Sequence, residues 1–209
     1  VIVNCHNGEK YLRKCISSIL NQIYQNYEII FFDNFSSDNS KKILKSFKDE
    51  RIKYFYSDTK FPLYKARNEA IKKSTGALIA FLDVDDWWEN SFLSSKKFFF
   101  EDSKYDYFYS NTLMYHEKSN KFIKYKNFDL PDGRIYHFLA KDYFIIISGL
   151  IIKREILEKE KYFNENYNII GDYDLMMRVS KYTNAKGFDQ PLINYRVHEK
   201  NFSKINNKM

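Results

Sequence analysis

Within its first ninety residues the chain switches repeatedly between two hydrophobic periods. The run "VIV" reads as a strand. After the turn "NCHNGE", the apolar positions Leu12, Cys15, Ile16, Ile19, Leu20 and Ile23 recur at three-and-four spacing, the mark of an amphipathic helix with Asn7 as its expected N-cap. "YEIIFFDN" is a buried strand, "SSDNSKKILKSFKD" a capped helix turning Ile43, Leu44 and Phe47 inward, and Ile52 to Tyr56 a further strand. "FPLYKARNEAIKKSTG" is a third helix, with Pro62 near its start and Gly76 just past its end, and "ALIAFL" returns to a strand. Such alternation dictates an α/β fold with a mostly parallel central sheet flanked by helices, because parallel neighbours need a crossover about as long as a helix.

A sheet of this kind offers ligands the edge where its strands end and helix N-termini point outward. Asn4, Asp33 and Asp83 each fall at such a strand end. Beyond about residue 100 the character changes: the aromatic-rich segments "YDYFYSNTLMYH" and "KFIKYKNF" read as a small antiparallel addition. Ile145 to Lys153 is expected as another strand, and a last helix begins near Asp172 with Leu175, Met176 and Val179 facing in. With no linker rich in Pro or Gly and no internal repeat, 209 residues are expected to form one domain, closed by a polar tail over 201–209.

Composition excludes several classes. Hydrophobic residues make up 44% and charged residues 29%, which is globular and not disordered. The longest apolar stretch, Tyr143 to Ile152, is broken by Ser148 and Gly149 and is about half of what a bilayer-spanning helix needs. Lys and Arg outnumber Asp and Glu by 34 to 27, but the lysines are scattered among Asn, Ile, Tyr and Phe, so no nucleic-acid partner is expected. A net charge of +7 instead favours anionic small molecules and the anionic face of a membrane. No secretory signal is visible, and Cys5 and Cys15 are expected as buried free thiols, consistent with a cytoplasmic setting.

The stretch "AFLDVDDWWE" concentrates chemistry. An apolar strand opens into Asp83, Asp85 and Asp86, and carboxylates that close repel one another unless a cation or a proton intervenes. Such oxygen clusters suit hard divalent ions, with phosphate oxygens completing the shell. The plain alternative is that the acids end the strand and cap a helix starting near Asn90. Trp87 and Trp88 fit the floor of a pocket or a stacking platform at its mouth.

In "NCHNGEKYLRKCISSILNQ", "EIIFFDNFSSD", "ARNEAIKKSTGALIAFLDVDDWW", "GDYDLMMR" and "YRVHEKNFS", in that order and spacing, the chain resembles the family 2 glycosyltransferases of the GT-A fold over nearly its whole length. The resemblance implies transfer of a sugar from a nucleotide diphosphosugar, preferably a UDP-sugar, to an acceptor hydroxyl, with inversion and with Mn²⁺ or Mg²⁺. It implies Asp85 as the principal metal ligand and Asp83 as the residue facing ribose and diphosphate. His198 would stand near both metal and diphosphate, Asp33 would accept from the base, and Arg67 would lie near the nucleotide. Asn4 and His6 would border the base, and Asp172 would be the catalytic base. Asp86 is left between substrate contact and cap, and Asp174 is expected to support structure. Residues 1–100 would form the nucleotide-sugar half and 101–200 the acceptor and catalytic-base half. The acceptor implied is a glycan or lipid-linked glycan of the bacterial cell surface, reached from the inner membrane face.

The pattern is departed from in three places. His6 stands where an aromatic usually borders the base; Asn34 and Phe35 replace a carboxylate and a glycine of the usual Asp-Asp-Gly-Ser; and Gly171 replaces the acidic residue usual before the base. Two other readings compete. One is a sugar-nucleotide-binding protein that keeps the fold without the reaction. The other is a nucleotidyltransferase, which would want a glycine-rich basic loop after the first strand, where "NCHNGEK" supplies one Gly and one Lys.

Overall fold

The computed structural model describes residues 1–100, 104–199 and 201. The polar tail after Asn201, and Lys200, Phe202 and Ser203 of the last motif, lie outside the described residues. The order is β1 (Ile2–Cys5), α1 (Glu9–Leu20), β2 (Ile29–Asp33), α2 (Ser40–Lys45), β3 (Ile52–Tyr56), α3 (Leu63–Lys72), β4 (Leu78–Ala80) and β5 (Trp87–Trp88). There follow a 3₁₀ segment (Ser94–Phe99), β6 (Tyr107–His116), β7 (Lys121–Lys124), α4 (Tyr136–Lys141), a 3₁₀ turn (Ile147–Gly149), β8 (Ile151–Lys153), α5 (Arg154–Lys159), α6 (Gly171–Ser180) and β9 (Ala185–Val197).

β1, β2 and β3 pair in parallel, with Cys5 opposite Asp33 and Asp33 opposite Tyr56, so three strands end level at one rim. A second, mixed sheet runs β4-β8-β6-β9-β5, with β7 on the edge of β6. The two sheets join where Phe81, just past β4, bridges Ile2 in parallel and Leu82 N–H donates to Ile2 O at 3.0 Å. The expected parallel sheet with an antiparallel addition is therefore present as one continuous surface.

Both faces of that surface are covered. Alternate residues of each central strand point into opposite cores: Ile2, Ile30, Phe32, Ile79 and Phe81 into one, Val3, Ile29, Phe31, Ala80 and Leu82 into the other. This period of two on a strand buried from both sides explains why these segments read as unbroken apolar runs. α1 packs Leu12, Cys15, Ile16 and Ile19 into the second core, and α6 packs Leu175, Met176 and Val179 into the first. Cys5 and Cys15 are buried and free. Among the described residues no helix is long and apolar enough to cross a membrane.

Three expectations are corrected. Asn7 does not cap α1: it holds a left-handed backbone (φ 55°), Gly8 takes the cap position, and the Asn7 side chain accepts from Ser37 N–H at 2.8 Å. The N-termini of α1 and α2 instead cap each other, Asp38 accepting from Glu9 N–H and Glu9 from Asn39 N–H, each at 2.9 Å. The strand expected over Ile145 to Lys153 is a strand only from Ile151, because Ile147–Gly149 turns as a 3₁₀ helix. There Gly149 lies so close to Ile193 that a Cβ would sit 2.4 Å from its Cδ1. No helix starts near Asn90: β5 and a turn intervene before the 3₁₀ segment at Ser94.

Candidate active site

The carboxyl ends of β1, β2 and β4 bring Asn4, Asp33 and Asp83 to one rim, as their positions on the sheet require. Asp83 accepts from the Arg67 guanidinium at 2.6 Å. Arg67 comes from α3 and is only 4% exposed, so it does not lie on a solvated helix face. Its charge is felt by a second carboxylate, Asp172 at the start of α6, whose pKa it pulls down against a larger upward push from burial. Tyr64, also on α3, donates to Ile169 O at 2.6 Å and to Asp172 Oδ1 at 3.3 Å, and Asp172 Oδ1 further accepts from Tyr173 N–H at 3.0 Å. Burial, and then the charge of Asp172, push the Tyr64 phenol up to about 12, so it stays a donor. One helix thus ties the strand-end acids to the start of α6.

Gly171 is explained by the same contact. A Cβ there would lie 2.6 Å from Cδ2 of the Tyr64 ring, so the position has no room for the acidic side chain of the usual pattern. Asp174 points elsewhere, pairing with Arg178 at 3.0 Å.

Asp85 sits 2.9 Å from His198 Nε2, and its backbone carbonyl accepts from Arg196 Nε at 2.9 Å. His198 rests against Tyr11 with ring centroids 5.0 Å apart. Asp85 and His198 are two donors, and among the described residues no group of three His, Cys, Asp or Glu converges as a closed metal cage. The pair nonetheless fits one side of a hard, octahedral ion: adjacent ligands about 2.1 Å from such an ion lie about 3 Å apart, and Mg²⁺ typically takes one or two protein carboxylates with phosphates and waters for the rest.

Asp86 is 1% exposed and serves the framework. It accepts from Ser148 Oγ at 2.5 Å and from Arg196 N–H at 2.9 Å, and burial together with the charges of Asp85 and Asp83 pushes its pKa well above the usual carboxylate range. Ser148 Oγ also accepts from Asp83 N–H at 3.2 Å, and its carbonyl takes the Trp88 Nε1 proton at 2.7 Å. Ser148 thus holds both ends of the acidic loop. Sequence reasoning treated it only as a break in an apolar run; its signal was a lone hydroxyl in that run. Trp88 is buried, stacked on Phe92 at 4.3 Å. Trp87 lies under Lys14, whose Nζ is 3.4 Å from the ring centroid, and beside the Arg196 guanidinium at 4.8 Å. Both tryptophans are buried.

At the β2 end, Asp33 is 1% exposed, and its two oxygens accept from Ser36 N–H and Tyr54 O–H, each at 2.9 Å. His6 Nδ1 is 3.0 Å from Asn34 O; a carbonyl can only accept, so Nδ1 carries a proton. Asn34 is buried and clasps Phe61 by both main-chain N–H and carbonyl, at 2.8 and 2.9 Å. Asn4 Nδ2 is buried with no hydrogen-bond partner among the described residues.

The sequence profile of glycosyl transferase family 2 matches residues 1–172. An Escherichia coli protein, the UDP-Glc:α-D-GlcNAc-diphosphoundecaprenol β-1,3-glucosyltransferase WfaP, is 31% identical over 199 residues, covering 95% of this chain and 76% of its own length. The Streptococcus pneumoniae glycosyltransferase GlyA is 39% identical over 97 residues, but this chain spans only 14% of it. Among solved structures, S. aureus TarS 1-349 in complex with UDP-GlcNAc superposes with a TM-score of 0.79 at 19% identity, over 97% of this chain and 59% of that one. A mannosyltransferase from Pyrobaculum calidifontis, in complex with GDP-Man and Mn²⁺, gives 0.72 at 15% identity, over 96% of this chain and 57% of that one. The chain belongs to glycosyl transferase family 2 and has the GT-A fold.

Proposed function

We propose that this chain is an inverting glycosyltransferase that moves a sugar from a nucleoside diphosphosugar, with uridine the preferred nucleoside, to a hydroxyl of a lipid-linked glycan. One observation carries the reading: α3 holds Arg67 against Asp83 and Tyr64 against Asp172, so a single helix ties the strand-end acids to a candidate base. A relative that covers 95% of the chain is named for a UDP-sugar donor and a diphosphoundecaprenol-linked acceptor, and this supports both substrate classes. The setting that follows is the cytoplasm, at the inner membrane face.

The residues divide the work. Asn4 and His6 form the end of the site that takes the nucleoside; Asp33, expected to accept from the base, is sealed beneath them with both oxygens engaged and shapes that end without touching the base. Arg67, held by Asp83, sets positive charge beside the diphosphate. Asp85 and His198 would hold Mn²⁺ or Mg²⁺, which when bound offsets the charge that grows on the departing diphosphate. Asp172, kept largely from water, takes the acceptor proton. A bond forms between the acceptor oxygen and the anomeric carbon on the face opposite the leaving group, the bond from that carbon to the diphosphate oxygen breaks, and the proton passes to Asp172. Inversion follows from that geometry of attack. Holding both substrates together supplies much of the remaining rate.

A panel of nucleoside diphosphosugars tests this by thermal shift with and without Mn²⁺, since a ligand of the native state raises Tm by mass action. At a hundred times Kd the gain is about 2.7 kcal/mol, an upward shift of about 5–10 °C for a chain of this size. Asp85→Ala is expected to remove the Mn²⁺-dependent part of the shift. A panel in which no donor moves Tm would overturn the assignment.

A further inference from the structure

Phe35 is out of place by two physical measures. Its backbone is left-handed, with φ 65°, a region that costs a side chain bearing a Cβ and that glycine enters freely. Its ring is 46% exposed, so packing does not offset that strain. It also stands where the resembled pattern has glycine, so the backbone turn does not need this side chain. A strained, exposed aromatic persists when the ring itself is used.

Its neighbourhood indicates for what. Phe35 lies two residues past Asp33, at the rim where β2 and β3 end, and Tyr56, opposite Asp33 in the register, is the other exposed ring there at 45%. Asp33 beneath is sealed from solvent with both oxygens engaged, so contact with a base at this rim falls to the exposed groups above it, the faces of Phe35 and Tyr56 and the polar side chains of His6 and Asn7. Meanwhile His6 occupies the place of the usual aromatic and spends its Nδ1 proton on Asn34 O, the carbonyl immediately before Phe35. The aromatic surface missing at position 6 is present at position 35.

We propose that Phe35 supplies the face on which the donor's nucleobase stacks, making it a binding residue for the nucleoside; this rests on the nucleotide-sugar reading above. Stacking of a base on an aromatic is tolerant of base identity, so Phe35 sets affinity and leaves the choice of base to polar groups.

The test is calorimetric titration of UDP, GDP and inorganic pyrophosphate, each with Mn²⁺, into wild type, Phe35→Leu and Phe35→Gly. Leucine keeps bulk and backbone strain but removes the π-face, whereas glycine removes both. Both variants are expected to bind UDP and GDP about tenfold more weakly and pyrophosphate unchanged. Phe35→Gly is expected to melt no lower than wild type, because relief of the left-handed strain compensates the looser unfolded chain. Wild-type affinity for UDP in both variants overturns the stacking role and leaves the glycosyltransferase reading standing; equal weakening toward pyrophosphate shows a general disturbance of the rim and overturns it too. A wild-type protein that binds none of the three defeats the parent reading instead.

Discussion

Asp172 illustrates how one residue's environment fixes both a catalytic and a thermodynamic expectation. Burial pushes its pKa up, and the Arg67 charge recovers part of that shift. A base must be ionised to work, so the acid limb of kcat/KM is expected above the ordinary Asp value of about 3.9. For stability the sign is opposite. A carboxyl whose folded pKa exceeds its unfolded one binds more protons in the native state through the window between the two, so ionising it there costs the fold free energy as pH rises. Below the unfolded pKa that cost is absent; above the folded pKa it is complete. Asp172→Asn is therefore expected to lower kcat by about 10²–10⁴-fold while leaving Tm at pH 7 equal or higher. Turnover rates and melting curves on the same preparation check both. A variant that keeps its activity, or one that loses it together with its fold, defeats the role given to this residue.

Between elements, the acidic loop after β4 is held by a segment from far along the chain. Ser148 touches Asp83, Asp86 and Trp88, and Arg196 of β9 touches Asp85 and Asp86, so the 3₁₀ turn and β9 together set where Asp85 stands. Ser148→Ala leaves a buried carboxyl short of one partner, a loss of about 1–3 kcal/mol in stability. The same change is expected to weaken Mn²⁺ binding in the presence of UDP, read by calorimetry, while UDP affinity without metal stays near wild type; Ser148→Thr should restore the hydroxyl and the metal affinity together. Unchanged Mn²⁺ affinity in the alanine variant would show that the loop is placed by other means. This element-scale wiring was the part least legible in the sequence. The strands "YEIIFFDN" and "ALIAFL" and helices α1 and α3 announced themselves, because periods of 2 and 3.6 are local properties. So did Asp83 and Asp85, because close carboxylates at a strand mouth are conspicuous, whereas Asp172 stood out only through the family resemblance. Tyr64 and Arg196 carry no local signal, and Ser148 only that of a lone hydroxyl in an apolar run, since each acts on a partner between 62 and 111 residues away. Tyr143 to Ile152 misled for a related reason: an apolar run without periodicity reports burial but not conformation.

Across the whole molecule, the halves before and after residue 100 do not own separate interiors. The core on one face combines Ile2, Ile30 and Phe81 with Tyr107, Ile152 and Leu175; the core on the other combines Val3, Phe31 and Leu82 with Phe108, Ile151 and Ile193. Strand alternation forces this, since a sheet that runs through both halves sends successive residues to opposite faces. β8 also fixes β4 of the first half directly, Ile79 opposite Ile152 and Ala80 opposite Ile151. Whatever division of labour exists between donor and acceptor halves, unfolding should not respect it, and we propose that the chain is one domain in the thermodynamic sense. Ile152→Ala, a truncation in the second half, is expected to cost about 2–5 kcal/mol. At about 2–4 °C per kcal/mol, Tm should fall by about 4–20 °C. Calorimetry should show a single transition in both proteins with calorimetric and van't Hoff enthalpies equal, and the donor-induced stabilisation should disappear over the same temperature range as the near-UV signal of Trp87 and Trp88. Two resolved transitions, with only the one unlinked to donor moved by Ile152→Ala, would mean that the nucleotide half folds on its own and that the shared cores contribute little to holding the acids of β4 in place.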